Sequence, residues 1–379
     1  MTAFKEIFKE NQIALQDDEV KAERFDNFYN RRLKNEGFSY LNSRRSYAAT
    51  RYELKSMDPS SIQGYLGKSS ERLFNAVFNV KKEQCTTKQE GENLIIEVPN
   101  ETKTLFRFHD AIDVIEKFDY EKDDGIKAYL GEKLDGTPAI ANFTQTPHML
   151  IAGSIGSGKS VCVQNVLLSL MYAYTKEQAQ FVLVDIKKTE LGGYKDISNV
   201  RAFYDDRKEA LNAMDALLDE MNKRNDLFAE MGCRKLSSYN KQVSNKEKLP
   251  EVFLVVEECD TFLDPNAGSS KKIQEKLTDR LMQLAKVGRS AGFHLIIISQ
   301  KPSGKTIGTD IRSQLGIRIA LRMNSSSDSR MVLNVGGAEK LHGEGDAILW
   351  TESDNDRMQI AYIDDDELTE AIKWLKENK

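Results

Sequence analysis

The stretch Met149–Leu170, MLIAGSIGSGKSVCVQNVLLSL, changes character at its middle. An apolar run ends at a cluster of glycines, a lysine follows, and a helical pattern begins. Gly153, Ser154, Ile155, Gly156, Ser157, Gly158, Lys159 and Ser160 fit the pattern GxxxxGK[ST], with Val161 next in the helix. The chemistry of holding a polyphosphate asks for these residue types. Glycines let backbone N–H groups turn inward and approach phosphate oxygens closely. Lys159 brings a positive charge to the β and γ oxygens, and the Ser160 hydroxyl can ligate Mg²⁺. A helix starting at this point aims the positive end of its dipole at the same anions. The pattern's fixed positions should match by chance in only about 1% of chains of this length. An apolar strand before and a helix after are the context that makes it a phosphate cradle. ATP with Mg²⁺ is the expected cofactor.

A nucleotide hydrolase also needs acidic groups on a neighbouring strand. VFLVVEE places Glu257 and Glu258 after five apolar residues. Glu257 is expected at the Mg²⁺ site beside Ser160, and Glu258 is expected to polarise the attacking water. FHLIIISQ ends a further strand on Gln300, whose amide is a candidate sensor of the γ-phosphate. HMLIAG, QFVLVDIK, EVFLVVEE and FHLIIISQ are short runs rich in β-branched residues. Unbroken apolar strands of this kind suit a sheet covered on both faces. Helical stretches between them predict an α/β fold with a doubly wound, mainly parallel sheet.

The 379 residues carry a net charge of −5, with 40% hydrophobic and 30% charged residues. Contact with nucleic acid therefore has to come from a local patch. One candidate is residues 31–55, with a net charge of +5 and with Tyr40, Tyr47 and Tyr52 interleaved. It reads either as a phosphate-tracking surface or as a solvated helical face. The cysteines at 85, 162, 233 and 259 lack CxxC spacing and read as free thiols. No apolar run reaches the ~20 residues of a membrane span, and the charged start is unlike a signal peptide. The expected location is cytoplasmic. Residues 1–90 read as a small, mostly helical region of unknown role, a candidate for binding DNA or a partner. Residues 91–379 read as the motor.

Several linked motifs carry a resemblance to a known family. They are AYLGEKLDGTPAIANFTQTPHMLIAGSIGSGKSV, VLVDIKKTEL, EMNKRNDLFAEMGCRKLSSYN, GRSAGFHLIIISQKPS and RIALRMNSSSDSRMVLNVGGAEKLHGEGDAIL. In this order the chain resembles the FtsK/SpoIIIE-type double-stranded DNA translocases over ~95–363. The resemblance implies a RecA-like P-loop ATPase core and assembly as a homo-hexameric ring around duplex DNA. It also implies an arginine supplied by one protomer to its neighbour's ATP, as arginine fingers do. Arg289 in GRSAG and Arg224 in EMNKR are the best carriers by position, with Arg330 third.

The chain departs from the family pattern in three ways. Glu257-Glu258 stands where the family writes Asp-Glu, so the Mg²⁺ carboxylate is displaced by one methylene. The family's winged-helix module after the motor and its membrane helices are both expected to be absent. These departures suggest a motor of a plasmid, phage or conjugative element, with a relaxase or membrane-channel component as a candidate partner. Two further readings stand beside it: a protein-secretion ATPase of the type VII kind, and a non-catalytic ATP-binding DNA-packaging scaffold.

Overall fold

A computed structural model describes residues 3–9, 15–45, 49–80, 85–100, 106–122, 125–264, 271–300, 307–352 and 355–379. Its chain divides into two compact units. One comprises residues 1–9, 107–131 and 139–379, and the other 10–106 with 132–138.

The larger unit is built on a ten-stranded sheet with the order β6-β5-β14-β13-β12-β7-β11-β10-β8-β9. The central strands are β7 (His148–Ala152), β8 (Ala179–Val184), β9 (Val200–Tyr204), β10 (Glu251–Val256), β11 (Phe293–Ser299) and β12 (Ile317–Leu321), all mutually parallel where they pair. β13 (Asp346–Trp350) and β14 (Asn355–Ile360) continue the sheet antiparallel from β12. β5 (Lys127–Lys133) and β6 (Pro138–Asn142) complete that edge. Every residue of β7, β10, β11 and β12 is buried, as the unbroken apolar runs predict.

The reason is that both faces are covered. On one, Leu150, Val182, Val184, Leu254, Val256, Leu295 and Ile297 pack with two long helices. These are α4 (Arg207–Glu230) and α5 (Lys271–Ala291). Leu277, Leu281, Leu284, Ala285, Gly288 and Ala291 recur on one face of α5, the stripe a surface helix turns to a core. Gly288 allows a close approach there: a Cβ would lie 3.0 Å from the Phe293 Cβ, tighter than an ordinary contact. The alternate strand residues Met149, Ile151, Phe181, Leu183, Phe253 and Val255 are buried as well and face the other way. On that side α3 (Lys159–Ala173) lies against β7 and against α7 (Asp365–Asn378). α4 starts on Asp206, whose side chain accepts from Lys208 N–H and Glu209 N–H, satisfying orphan donors of the first turn. α7 opens with a capping box between Asp364 and Glu367.

The smaller unit corrects the expectation of a mostly helical region. Beside α1 (Leu15–Arg31) and α2 (Lys68–Phe78) it holds an antiparallel sheet of order β1-β2-β4-β3. The strands are β1 (Phe38–Arg45), β2 (Ala49–Ser56), β3 (Thr86–Glu90) and β4 (Asn93–Pro99). β4 pairs with both β2 and β3, so the strand read at 93–99 belongs to this unit, and the division falls beyond the expected 90. In β2, Arg51, Glu53 and Lys55 alternate with Tyr52 and Leu54, which are turned into a core with Phe25, Phe38, Phe74, Phe78 and Ile96.

That topology also changes the charge of the basic segment. Arg32 pairs with Glu36 at 3.1 Å, Arg51 with Glu90 at 2.5 Å and Lys55 with Glu92 at 3.3 Å. Glu90 and Glu92 come from outside the counted window, so a sum along the sequence overstates the local field. Tyr52 is buried and stacked on Phe25 at 4.1 Å, which removes it from any base-stacking role. Tyr40 is exposed. Tyr47 and the side chains of Arg44 and Arg45 lie outside the described residues.

Candidate active site

The cradle forms between the carboxyl end of β7 and the start of α3. In an open parallel sheet, ligands bind at the carboxyl ends of the strands. Gly156 and Gly158 have φ values of +73° and +96°, the left-handed region that side chains resist. Gly158 also meets a close neighbour: a Cβ there would stand 2.5 Å from Gly345 N. Gly345 N–H donates to the Ser157 carbonyl at 2.8 Å, so the GEGD turn before β13 braces the loop from below. Ser154 N–H and its hydroxyl both donate to the Arg322 carbonyl, at 2.9 and 2.8 Å. Ile155 at the loop's crest is 84% exposed.

Lys159, expected on the phosphates, and Glu257, expected beside Ser160, are in contact with each other. Lys159 Nζ donates to Glu257 Oε1 at 2.5 Å, and both residues are buried. Burial drives the Glu257 pKa up to about 6; Lys159 pulls it down, while Glu190 and Asp185 push it up. Glu257 Oε2 and Ser157 Oγ are buried without a hydrogen-bond partner. Unsatisfied groups of this kind are uncommon in a folded interior. Here they lie in and beside the cradle, Glu257 offering lone pairs that suit a cation and Ser157 a rotatable donor that suits a phosphate oxygen, so the residues present fit a nucleotide with its Mg²⁺.

Glu258 and Gln300 also meet. Gln300 Nε2 donates to Glu258 Oε1 at 2.9 Å, and Lys187 Nζ reaches the same oxygen at 2.6 Å. Glu258 has φ +45°, a left-handed conformation that costs a non-glycine residue about 1–3 kcal/mol. That strain lets the chain turn at the end of β10 and hold the Glu258 carboxylate next to Gln300. Asp260 Oδ2 ties the turn to β11 by accepting from Ser299 Oγ at 2.6 Å and Gln300 N–H at 3.0 Å.

The two arginine candidates separate. Arg224 is 3% exposed. Its Nη1 donates to the carbonyls of Pro250 and Ala291 at 2.7 and 2.9 Å, and its Nη2 to Glu220 at 2.7 Å. The guanidinium also lies 4.8 Å from the Phe293 ring centroid. Arg224 is therefore a structural cation and is not available to a neighbouring subunit, a correction to its expected role. An invaginated EMNKR helix and a surface one look alike in sequence. Arg224→Ala is expected to destabilise the fold by about 1–3 kcal/mol, because the buried carbonyls of Pro250 and Ala291 lose their donor while Glu220 keeps Arg201. A thermal melt checks this; an unchanged Tm would return Arg224 to the functional set. Arg289 is exposed, and among the described residues its side chain has no hydrogen bond or ion pair. It lines a cleft with Lys286, Glu251 and His294.

The motif VDIKKTEL contributes residues to which no role had been given. Asp185 is buried; its Oδ1 accepts from Lys187 and Lys188 N–H, and its Oδ2 from Glu190 and Leu191 N–H. This fixes the loop after β8, and Glu190 Oε1 accepts from Ser160 Oγ at 3.0 Å. Two carboxylates thus face two consecutive residues of the cradle.

Comparisons with known proteins give the family and the fold. The model of the FtsK/SpoIIIE family matches residues 113–338. A DNA translocase FtsK from Clostridium tetani is 34% identical over 290 residues, covering 75% of this chain and 38% of that protein. The chain thus spans a little over a third of the length of that relative. Among solved structures, the pCW3 conjugation coupling protein TcpA, in a monomer form with ATPγS, aligns over 94% of this chain and 99% of its own. Its TM-score is 0.60 at 22% identity. The cytoplasmic domain of the type VII secretion ATPase EccC from Thermomonospora curvata aligns over 69% of this chain and 32% of that one, with TM-score 0.59 at 25% identity. With the family model matched over residues 113–338 and a relative 34% identical over three quarters of the chain, the protein belongs to the FtsK/SpoIIIE family.

Proposed function

We propose that the protein is an ATP-hydrolysing motor that moves along double-stranded DNA as a homo-oligomeric ring. The observation that carries this reading is the convergence of Lys159, Glu257, Glu258 and Gln300 at the carboxyl ends of adjacent parallel strands. Membership of a family whose matched relative is a DNA translocase supplies the substrate class.

In this reading the glycine loop and Lys159 bind the phosphates. Ser160 and Glu257 would hold a Mg²⁺, and that cation would offset charge building on the β and γ oxygens. Glu257 Oε2 has no competing donor, so it keeps its lone pairs for that cation or its water. Glu258 takes the proton of the attacking water and is held in position by Gln300 and Lys187. Glu in place of Asp at 257 sets the first carboxylate one methylene further from the strand, where Lys159 Nζ meets it. We assign the motor to transfer or segregation of a plasmid, phage or conjugative element, with a relaxase or channel component as its docking partner. The alignment of 94% of this chain with the fold of a conjugation coupling protein is compatible with that role.

ATP turnover measured without nucleic acid, with duplex DNA and with single-stranded DNA tests the reading. Turnover is expected to rise about tenfold or more with duplex, a gain of roughly 1.4 kcal/mol in transition-state stabilisation. The likeness to the EccC fold favours a second reading, a protein-secretion ATPase, which predicts turnover indifferent to DNA. A scaffold predicts binding with no turnover under any condition.

A further inference from the structure

Lys159 and Ser160 are consecutive, yet each gives its hydrogen to a different carboxylate. Lys159 Nζ reaches Glu257 Oε1 on the strand-end side, and Ser160 Oγ donates to Glu190 Oε1 at 3.0 Å on the loop after β8. The acidic residue expected to serve Ser160 is thus engaged by the lysine, and the hydroxyl's proton points elsewhere. A serine hydroxyl ligates a cation through an oxygen lone pair and keeps its O–H, which then needs an acceptor. Where that acceptor stands decides which way the lone pairs face.

We propose that Glu190 is a positioning residue of the cation site: by accepting the Ser160 O–H it turns the hydroxyl's lone pairs toward the metal. This rests on the reading of Ser160 and Glu257 as the Mg²⁺ residues. The acceptor is held from behind. Asp185 Oδ2 accepts the N–H of Glu190 itself at 3.0 Å, and of Leu191 at 3.0 Å. Within the same turn Lys188 adopts φ +62°, and its ammonium pairs with Asp205 at 2.7 Å. The loop therefore carries backbone strain and a buried carboxylate hub, and what it presents at its end is Glu190. Carboxylates that fix the hydrogen of a metal-binding side chain typically change metal affinity by about 10–100-fold when removed.

A charge argument separates this role from a structural one. Without metal, the Glu190 carboxylate and the nucleotide phosphates repel each other, so deleting Glu190 leaves metal-free nucleotide binding unchanged or tighter. Loss of loop structure would weaken binding with and without metal alike.

The experiment titrates a fluorescent ATP analogue onto the full chain across a Mg²⁺ series and in EDTA. Glu190→Ala is expected to raise the Mg²⁺ concentration for half-maximal binding by about 10–100-fold, with affinity in EDTA kept or improved. Glu190→Gln is expected to fall between, since its amide oxygen still accepts from Ser160 but carries no charge; it decides the matter if the alanine variant does not fold. A Mg²⁺ midpoint within about 2-fold of wild type, or equal losses with and without metal, overturns the proposal. Ser160→Ala runs beside it. If Ser160→Ala raises the Mg²⁺ requirement while Glu190→Ala does not, only Glu190 loses its role. If neither does, the cation-site reading falls and takes this inference with it.

Discussion

Lys159→Ala is expected to lower ATP turnover by about 10²–10³-fold or more, the usual loss when one pre-positioned charge is removed from a transition state. The backbone cradle stays: Gly156 and Gly158 keep their left-handed turns and Gly345 keeps its bond to Ser157. What disappears is the ammonium that neutralises charge on the β and γ oxygens. Folding is expected to survive for a reason written in the same ion pair. Removing one partner of a buried pair costs about 3–5 kcal/mol if the other stays charged. The Glu257 pKa already sits at about 6 with Lys159 beside it. Without the lysine it rises further, the carboxylate takes up a proton near neutral pH, and the buried charge vanishes. The sign follows: the variant is expected to be relatively more stable at pH 6 than at pH 8, where keeping Glu257 ionised costs more. Steady-state ATPase and melts at the two pH values check both halves. Turnover within about 3-fold of wild type would mean that the cradle is not the catalytic site.

The elements legible in the sequence are those whose residue types are forced. Gly156 and Gly158 sit at positive φ, and the run from Glu251 to Val256 is buried on both faces, so each announces itself. Glu258 and Gln300 were readable because a strand's carboxyl end is where α/β sheets keep their chemistry. Glu190 was quoted within a motif but had no pattern to mark its partner, which lies 30 residues earlier in the chain. β1 and β2, eight residues each, were missed because polar and charged residues interrupt their apolar ones, so no unbroken apolar run marks them. In β3, four of five residues are exposed, so they lack the alternation that marks a half-buried strand. Arg224 was misread because burial of an arginine by backbone carbonyls and an aromatic ring leaves no trace in local sequence.

Arg289→Ala is expected to reduce turnover by about 10³–10⁵-fold, the range found for arginines that stabilise phosphoryl transfer, and to do so only by acting on a neighbour. The topology gives the reason. Arg289 stands at the end of α5, just before β11. The cradle follows the carboxyl end of β7, which runs parallel to β11 with Ser299 opposite Ala152. A strand of seven residues at about 3.3 Å per residue spans roughly 20 Å, far beyond the reach of one arginine side chain. Arg289 therefore cannot serve the site of its own chain, and its unpaired, exposed guanidinium is free to meet the site of another. A ring motor needs exactly such a donor on the face away from its own nucleotide. The decisive experiment mixes Lys159→Ala protein, which keeps Arg289, with Arg289→Ala protein, which keeps its cradle. Each alone is expected to be silent. In mixed assemblies some interfaces join an intact cradle to an intact arginine, so turnover is expected to return in part. It should grow with protein concentration and at lower concentration when duplex DNA templates assembly. A mixture that stays silent while mass measurement shows mixed assemblies would deny Arg289 its action across the interface. Full turnover by a monomeric Arg289→Ala chain would remove the residue from catalysis altogether.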